Sequence, residues 1–165
     1  MKPLIVVAGV SGSGKSTIGI ELAARLGVPF IDGDELHPDS NVQKMAIGIP
    51  LDDEDRWPWL WRVGNSLREA EGTGLVIACS ALTRSYRQII LDAESRTRFV
   101  MLEGSPELLA RRLKKRKGHF MPPTLLGSQF ETLEELAPTE PGFTVSVTDS
   151  PTEIVDEIIE RLQAM

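Results

Sequence analysis

The sequence predicts an α/β fold, a five-stranded parallel sheet with helices on both faces, and three observations carry the prediction. Short apolar runs alternate with stretches of helical spacing, the rhythm of parallel strands joined by crossover helices. The first run, Leu4–Ala8, leads straight into Gly9-Val10-Ser11-Gly12-Ser13-Gly14-Lys15-Ser16-Thr17, a complete G-x-x-x-x-G-K-[ST] phosphate loop. The pattern then turns helical, so strand, loop and helix stand in the order that such a loop requires. At 165 residues the chain suits one domain, 1–165, with a single sheet as its core.

The elements follow in order. A helix from Ser16 to Leu26 is ended by Gly27, and Val28–Ile31 reads as the second strand. A helix with Leu60, Val63 and Leu67 on its apolar stripe precedes the third strand, Leu75–Cys79. Phe99–Leu102 and Phe143–Val147 complete the sheet. Ser105-Pro106-Glu107 and Ser150-Pro151-Thr152-Glu153 each offer a cap followed by proline at the first helical position. In the last helix Ile154, Val155, Ile158, Ile159 and Leu162 share one face, and charged residues occupy the other. Two stretches, 32–55 and 117–141, fit neither pattern and read as binding loops or a lid. Right-handed crossovers place the carboxyl ends of all five strands along one edge, where open α/β sheets bind ligands.

Composition narrows the function classes. A formal net charge of −6 opposes a surface built to hold nucleic acid. The single cysteine, Cys79, excludes an internal disulfide and a multi-cysteine zinc site. No stretch approaches the roughly 18 apolar residues needed to cross a bilayer, and the N-terminal run is too short for a signal sequence. The expectation is a cytoplasmic protein with no membrane and no nucleic-acid partner.

The phosphate loop sets the donor chemistry. Its glycines let successive N–H groups of residues 9 to 17 face phosphate oxygens at the positive end of the next helix. Lys15 is expected to reach the β- and γ-phosphates, and Ser16 to give its hydroxyl oxygen to Mg²⁺. Directly after the second strand come Asp32-Gly33-Asp34-Glu35-Leu36-His37-Pro38. On extended chain Asp32 and Asp34 point to opposite sides, so Asp34 is assigned to the acceptor hydroxyl and Asp32 to the metal or its waters. His37 is read two ways, as a hydrogen-bonding partner of a polyol or as a brace for the turn before Pro38. Arg112 and Arg116, four apart on a basic helix end, are expected to meet adenine and phosphate, one each, if they are more than a solvated face. Arg84 and Arg87 past the third strand, and Arg56, are candidate clamps for an acceptor carboxylate. Trp57, Trp59 and Trp61 spread around a helix, and at least one belongs to the core.

These residues together resemble a known family over nearly the whole chain. Beside the phosphate loop, the resemblance rests on Asp32-Gly33-Asp34, Leu36-His37-Pro38, Asn41, Lys44-Met45, Pro50-Leu51, Asp53, Asp55-Arg56 and Pro58-Trp59-Leu60. It continues through Cys79-Ser80-Ala81-Leu82, Tyr86-Arg87, Lys117-Gly118-His119-Phe120 and Ser128–Glu134. The chain is similar to the gluconokinases of the bacterial thermoresistant type. The resemblance implies a P-loop kinase fold related to shikimate and adenylate kinases, with a mobile lid at about 117–141 and a substrate segment at about 34–60. It implies ATP and D-gluconate as substrates, Mg²⁺ as cofactor, phosphorylation at the 6-hydroxyl, and a homodimer. Lys15, Asp34 and Arg116 then carry catalysis, and Asp34, His37, Lys44, Arg56, Arg84 and His119 face the sugar acid. Thr83-Arg84 departs from the basic pair expected there, and Glu135-Leu136-Ala137 from the usual run toward Pro138. A kinase for shikimate or a nucleoside monophosphate, or a nucleotide-binding module without turnover, are the alternative readings.

Overall fold

A computed structural model describes residues 2–115 and 123–165. The strands β1 (Leu4–Ala8), β2 (Phe30–Asp32), β3 (Leu75–Ala78), β4 (Arg98–Glu103) and β5 (Gly142–Ser146) form one sheet in the order β2-β3-β1-β4-β5, all pairs parallel. Central β1 is buried along its whole length, and Val6 lies between Ile77 and Phe99 in register.

Alternation along β1 divides the core in two. Ile5 and Val7 pack with Ile18 and Leu22 of α1 (Lys15–Leu26) and with Ile154 and Ile158 of α7 (Pro151–Gln163). Leu4, Val6 and Ala8 point the other way, onto Leu60, Val63 and Leu67 of α3 (Asp53–Glu69) and Ile90 of α4 (Arg84–Ala93). Helices thus cover both faces. Ser150 caps α7 through the Glu153 N–H, and Gly27 ends α1 in a left-handed conformation, as the sequence indicates. No helix among the described residues is long and apolar enough to cross a membrane.

The two stretches expected to be irregular contain helices. Between residues 32 and 55 lie a 3-10 turn (Gly33–Leu36), α2 (Asp39–Ala46) and the start of α3. The signals are local caps: Asp52 and Asp55 form a reciprocal capping box at the head of α3, with each carboxylate accepting the other's N–H. The basic helix α5 (Pro106–Lys115) is followed by α6 (Pro123–Thr132), which occupies part of the expected lid. The lid's far end, 133–141, is bolted down. Glu134 N–H donates to the Leu82 carbonyl at 2.7 Å, and the backbone N–H of Arg84 donates to the Glu134 carboxylate at 2.8 Å.

Candidate active site

Strand ends and helix starts gather the site at the carboxyl edge of the sheet. The phosphate loop is drawn tight by its own groups: Ser13 Oγ donates to the Val10 carbonyl at 2.6 Å, and Lys15 Nζ to the same oxygen at 3.1 Å. Gly14 sits at φ +93° directly before α1, a left-handed turn that favours glycine and releases the first helical N–H groups toward the loop's hollow. Ser16 and Thr17 stand in that first turn. The Ser11 N–H is held at 2.7 Å by Oε1 of Gln129, which reaches over from α6. A cavity of about 430 Å³ opens beside Val10, bounded by Leu102, Gly104, Phe130 and Leu133.

Across from the loop, β2 delivers Asp32 at its last position. Extended backbone ends at Asp32 and the 3-10 turn begins at Gly33, so the extended chain on which Asp32 and Asp34 are expected to point to opposite sides does not reach Asp34. Asp32 Oδ1 instead accepts the Asp34 N–H at 3.0 Å and caps the 3-10 turn. Gly33 is required between them, since a Cβ at that position would lie 2.4 Å from the Ala78 carbonyl oxygen. The buried Cys79 thiol, just past β3, is pushed up to about 12 by burial, and it also feels the charges of Asp34, Lys15 and Asp32. Asp32 pairs with Ala78 at the end of β3, and the Gly9 N–H donates to the Ser80 carbonyl at 3.2 Å, so the head of the phosphate loop and the aspartate turn adjoin the same strand end.

Beside the aspartate turn stands a wall of paired side chains. His37 is buried, stacks on Trp59 at 4.1 Å, and meets Asn41 Nδ2 through its Nδ1 at 3.1 Å. Trp59, the core member of the tryptophan alternation, donates its indole N–H to the Gly33 carbonyl at 2.8 Å. Burial, then the nearby charge of Arg56, lowers His37 to about 4, so the imidazole is neutral. Arg56 donates to Tyr86 Oη at 3.1 Å, and Tyr86 donates to Asp53 at 2.6 Å. Desolvation and the Asp53 bond push Tyr86 up to about 12, which keeps its proton in place.

Several expected ligands have partners within the protein. Lys44 Nζ bonds both oxygens of Asp55, at 2.9 and 2.8 Å, which raises the lysine, lowers the aspartate and pins α2 to α3. Arg87 is fully buried and cannot clamp an acceptor: it grips Glu140 through Nε at 2.6 Å and Nη2 at 3.1 Å and donates to the Ala81 carbonyl. Burial alone would raise Glu140, yet Arg87 and the Ala137 N–H hold it below the usual carboxylate range. The Arg84 guanidinium donates to Thr139 Oγ1 at 3.2 Å, facing the 133–141 segment. Arg112 donates to the Val147 carbonyl at 2.6 Å, at the exit of β5. Arg116, Lys117 and His119 lie outside the described residues.

Asn41, Asp53, Tyr86 and Gln129 enter the site without having been assigned a role from sequence. Asn41 stands four residues after its partner His37, a spacing that hints at partnership, whereas Tyr86 lies 30 residues from Arg56 and 33 from Asp53. Gln129 lies 118 residues from Ser11 and gave no local signal.

A phosphate loop over a parallel sheet, facing two aspartates and a wall of polar side chains, defines a P-loop small-molecule kinase. A family model described as shikimate kinase matches residues 11–163. The chain is 47% identical to the gluconokinase of Gluconobacter oxydans, covering 99% of this chain and 94% of that one. It is 42% identical to the thermoresistant gluconokinase of Escherichia coli, covering 97% and 93%. A solved gluconokinase from Sinorhizobium meliloti superposes with a TM-score of 0.90 at 47% identity, covering 98% of this chain and 92% of that one. The chain belongs to the shikimate kinase family, among its gluconokinases.

Proposed function

We propose that the chain transfers the γ-phosphoryl group of ATP to the 6-hydroxyl of D-gluconate, giving 6-phospho-D-gluconate and ADP. The observation that carries this is the meeting of the phosphate loop and the Asp32–Asp34 turn at the end of β3, with the stacked His37–Trp59 pair anchored on Gly33 beside them. Phosphoryl transfer asks mainly for alignment and charge neutralisation. Loop N–H groups and Lys15 supply the charge on the donor side. Asp34 orients the attacking hydroxyl and takes its proton. His37 and Arg56 meet hydroxyl and carboxylate oxygens of the acid. The family resemblance adds Arg116 on the donor side and His119 on the acceptor side, and Arg112 meets the base.

Ser16 and Asp32 are hard oxygen donors that suit Mg²⁺, and Asp32 keeps its second oxygen after capping the turn. Among the described residues no three His, Cys, Asp or Glu side chains group to hold an ion, so a cation here takes its other ligands from phosphate and water. Bound with ATP, it would neutralise charge on the β- and γ-phosphates.

A coupled assay over sugar acids, shikimate and nucleoside monophosphates tests this reading. Turnover with gluconate and phosphorus coupled to C6 in the product are expected. Turnover only with shikimate or a monophosphate overturns it.

A further inference from the structure

We propose that Asn41 is a positioning residue that fixes the tautomer of His37, so that the imidazole presents an Nε2–H donor to an oxygen of the polyhydroxy acid. The inference rests on the acceptor reading above and deepens it.

Asn41 lies in α2, is 1% exposed, and uses both hydrogens of its amide nitrogen. One goes to the Asp55 backbone carbonyl at 2.8 Å. A carbonyl only accepts, so the group turned toward it is the NH₂ and not the amide oxygen. The same nitrogen lies 3.1 Å from His37 Nδ1, which must then accept. An accepting Nδ1 carries no proton, and in a neutral ring the proton sits on Nε2. Burial and the Arg56 charge keep the ring neutral.

The ring plane is set independently. His37 lies at 16° to Trp59, and the indole is anchored on Gly33, the residue between the two aspartates. The donor is thereby registered to the backbone that carries Asp34. Lys44 belongs to the same scaffold: it draws in the Asp55 carboxylate while the Asp55 carbonyl orients Asn41. A fixed N–H selects a lone pair and not another donor, which fits the hydroxyl and carboxylate oxygens of a sugar acid.

The chain has two histidines, so imidazole nitrogens are readily assigned by long-range ¹⁵N–¹H correlation, with His37→Gln identifying the signals. At pH 7 the wild type is expected to show a protonated Nε2 and a bare Nδ1 at His37, with Nε2 shifting on addition of gluconate. In Asn41→Asp the carboxylate accepts from Nδ1 and reverses the pattern. KM for gluconate then rises about tenfold, the scale of one hydrogen bond, while KM for ATP and kcat at saturating gluconate stay within about twofold. Substitution at Asn41 in the His37→Gln background leaves KM for gluconate unchanged, because the glutamine amide supplies its own donor. A wild-type Nδ1–H tautomer overturns the inference, and this needs no variant to fold. A reversed tautomer with unchanged KM, or an Nε2 signal unmoved by gluconate in protein that turns it over, overturns it too. If the Nε2–H tautomer is present but gluconate is not phosphorylated, the acceptor reading fails and the substrate part of this inference falls with it.

Discussion

Around residues 9–17 backbone groups do the holding: the Val10 carbonyl takes Ser13 and Lys15, and the Gly9 N–H holds the loop to the Ser80 carbonyl. Around residues 32–60 side chains hold side chains. Lys44 sits on Asp55, Asn41 on His37, and Arg56 on a tyrosine that is itself bonded to Asp53. On the proposed reading the first region is the donor side, which must bind a group whose charged oxygens repeat, and a run of N–H groups does that with little side-chain information. The acceptor side must tell one polyhydroxy acid from other small molecules, and that takes fixed polar groups of known donor or acceptor sense. A backbone-built site tolerates side-chain truncation in stability and loses chemistry, whereas a site built on paired side chains loses stability as well.

Arg87, a paired side chain outside both regions, and Lys15 break or sharpen that contrast most strongly. Arg87→Met removes the cation from the fully buried Arg87–Glu140 pair and leaves the carboxylate uncompensated, so unfolding in urea is expected to show a loss of about 3–5 kcal/mol. Lys15→Ala should cost no more than about 0.5 kcal/mol by the same measurement. Its turnover should nevertheless fall by about 10²–10³, the scale of a removed charge-stabilising donor, and the melting shift with Mg·ATP should disappear. Equal stability losses for the two variants would erase the distinction.

Asp34→Asn sharpens the boundary between the halves. Turnover should fall about 10²-fold, the scale of a lost general base, with KM for ATP held within a few-fold because the loop is untouched. A nucleotide KM that rises in step with the loss of turnover would move Asp34 to the donor side.

The same contrast explains what could be read in the sequence. The phosphate loop is contiguous, and the three central strands β1, β3 and β4 announce themselves as apolar runs, because strands buried on both faces need side chains that are apolar throughout. The helix after β2 went unread because α2 is short and polar, with only Asn41 buried. Asp34 falls on extended chain in a sequence reading, but the Asp32 carboxylate caps a 3-10 turn by accepting the Asp34 N–H. Arg87 looked like a clamp because an arginine past a strand end is a frequent ligand. Its partner, Glu140, lies 53 residues downstream in a stretch with no periodic pattern. Pairings of that kind are decided by tertiary packing, which one-dimensional spacing does not encode.

The smallest effect follows from His37. Its pKa is lowered from the ordinary 6.5 to about 4, so between those values the unfolded chain binds a proton that the native protein refuses. Stability from this group is complete above about 6.5 and is lost as pH falls toward 4. Water reaches part of the ring and screens it, so the share lost from pH 7 to pH 5 is about 1 kcal/mol, or about 2–4 °C in melting temperature. Carboxylates and the second histidine titrate in the same scans, and His37→Gln subtracts them: the wild type should lose this increment relative to the variant. Parallel melting curves over that range would mean that the imidazole accepts its proton in place. Arg56, which helps to exclude the proton, would then have to lie farther from the ring, and the acceptor wall would be looser than the paired side chains imply.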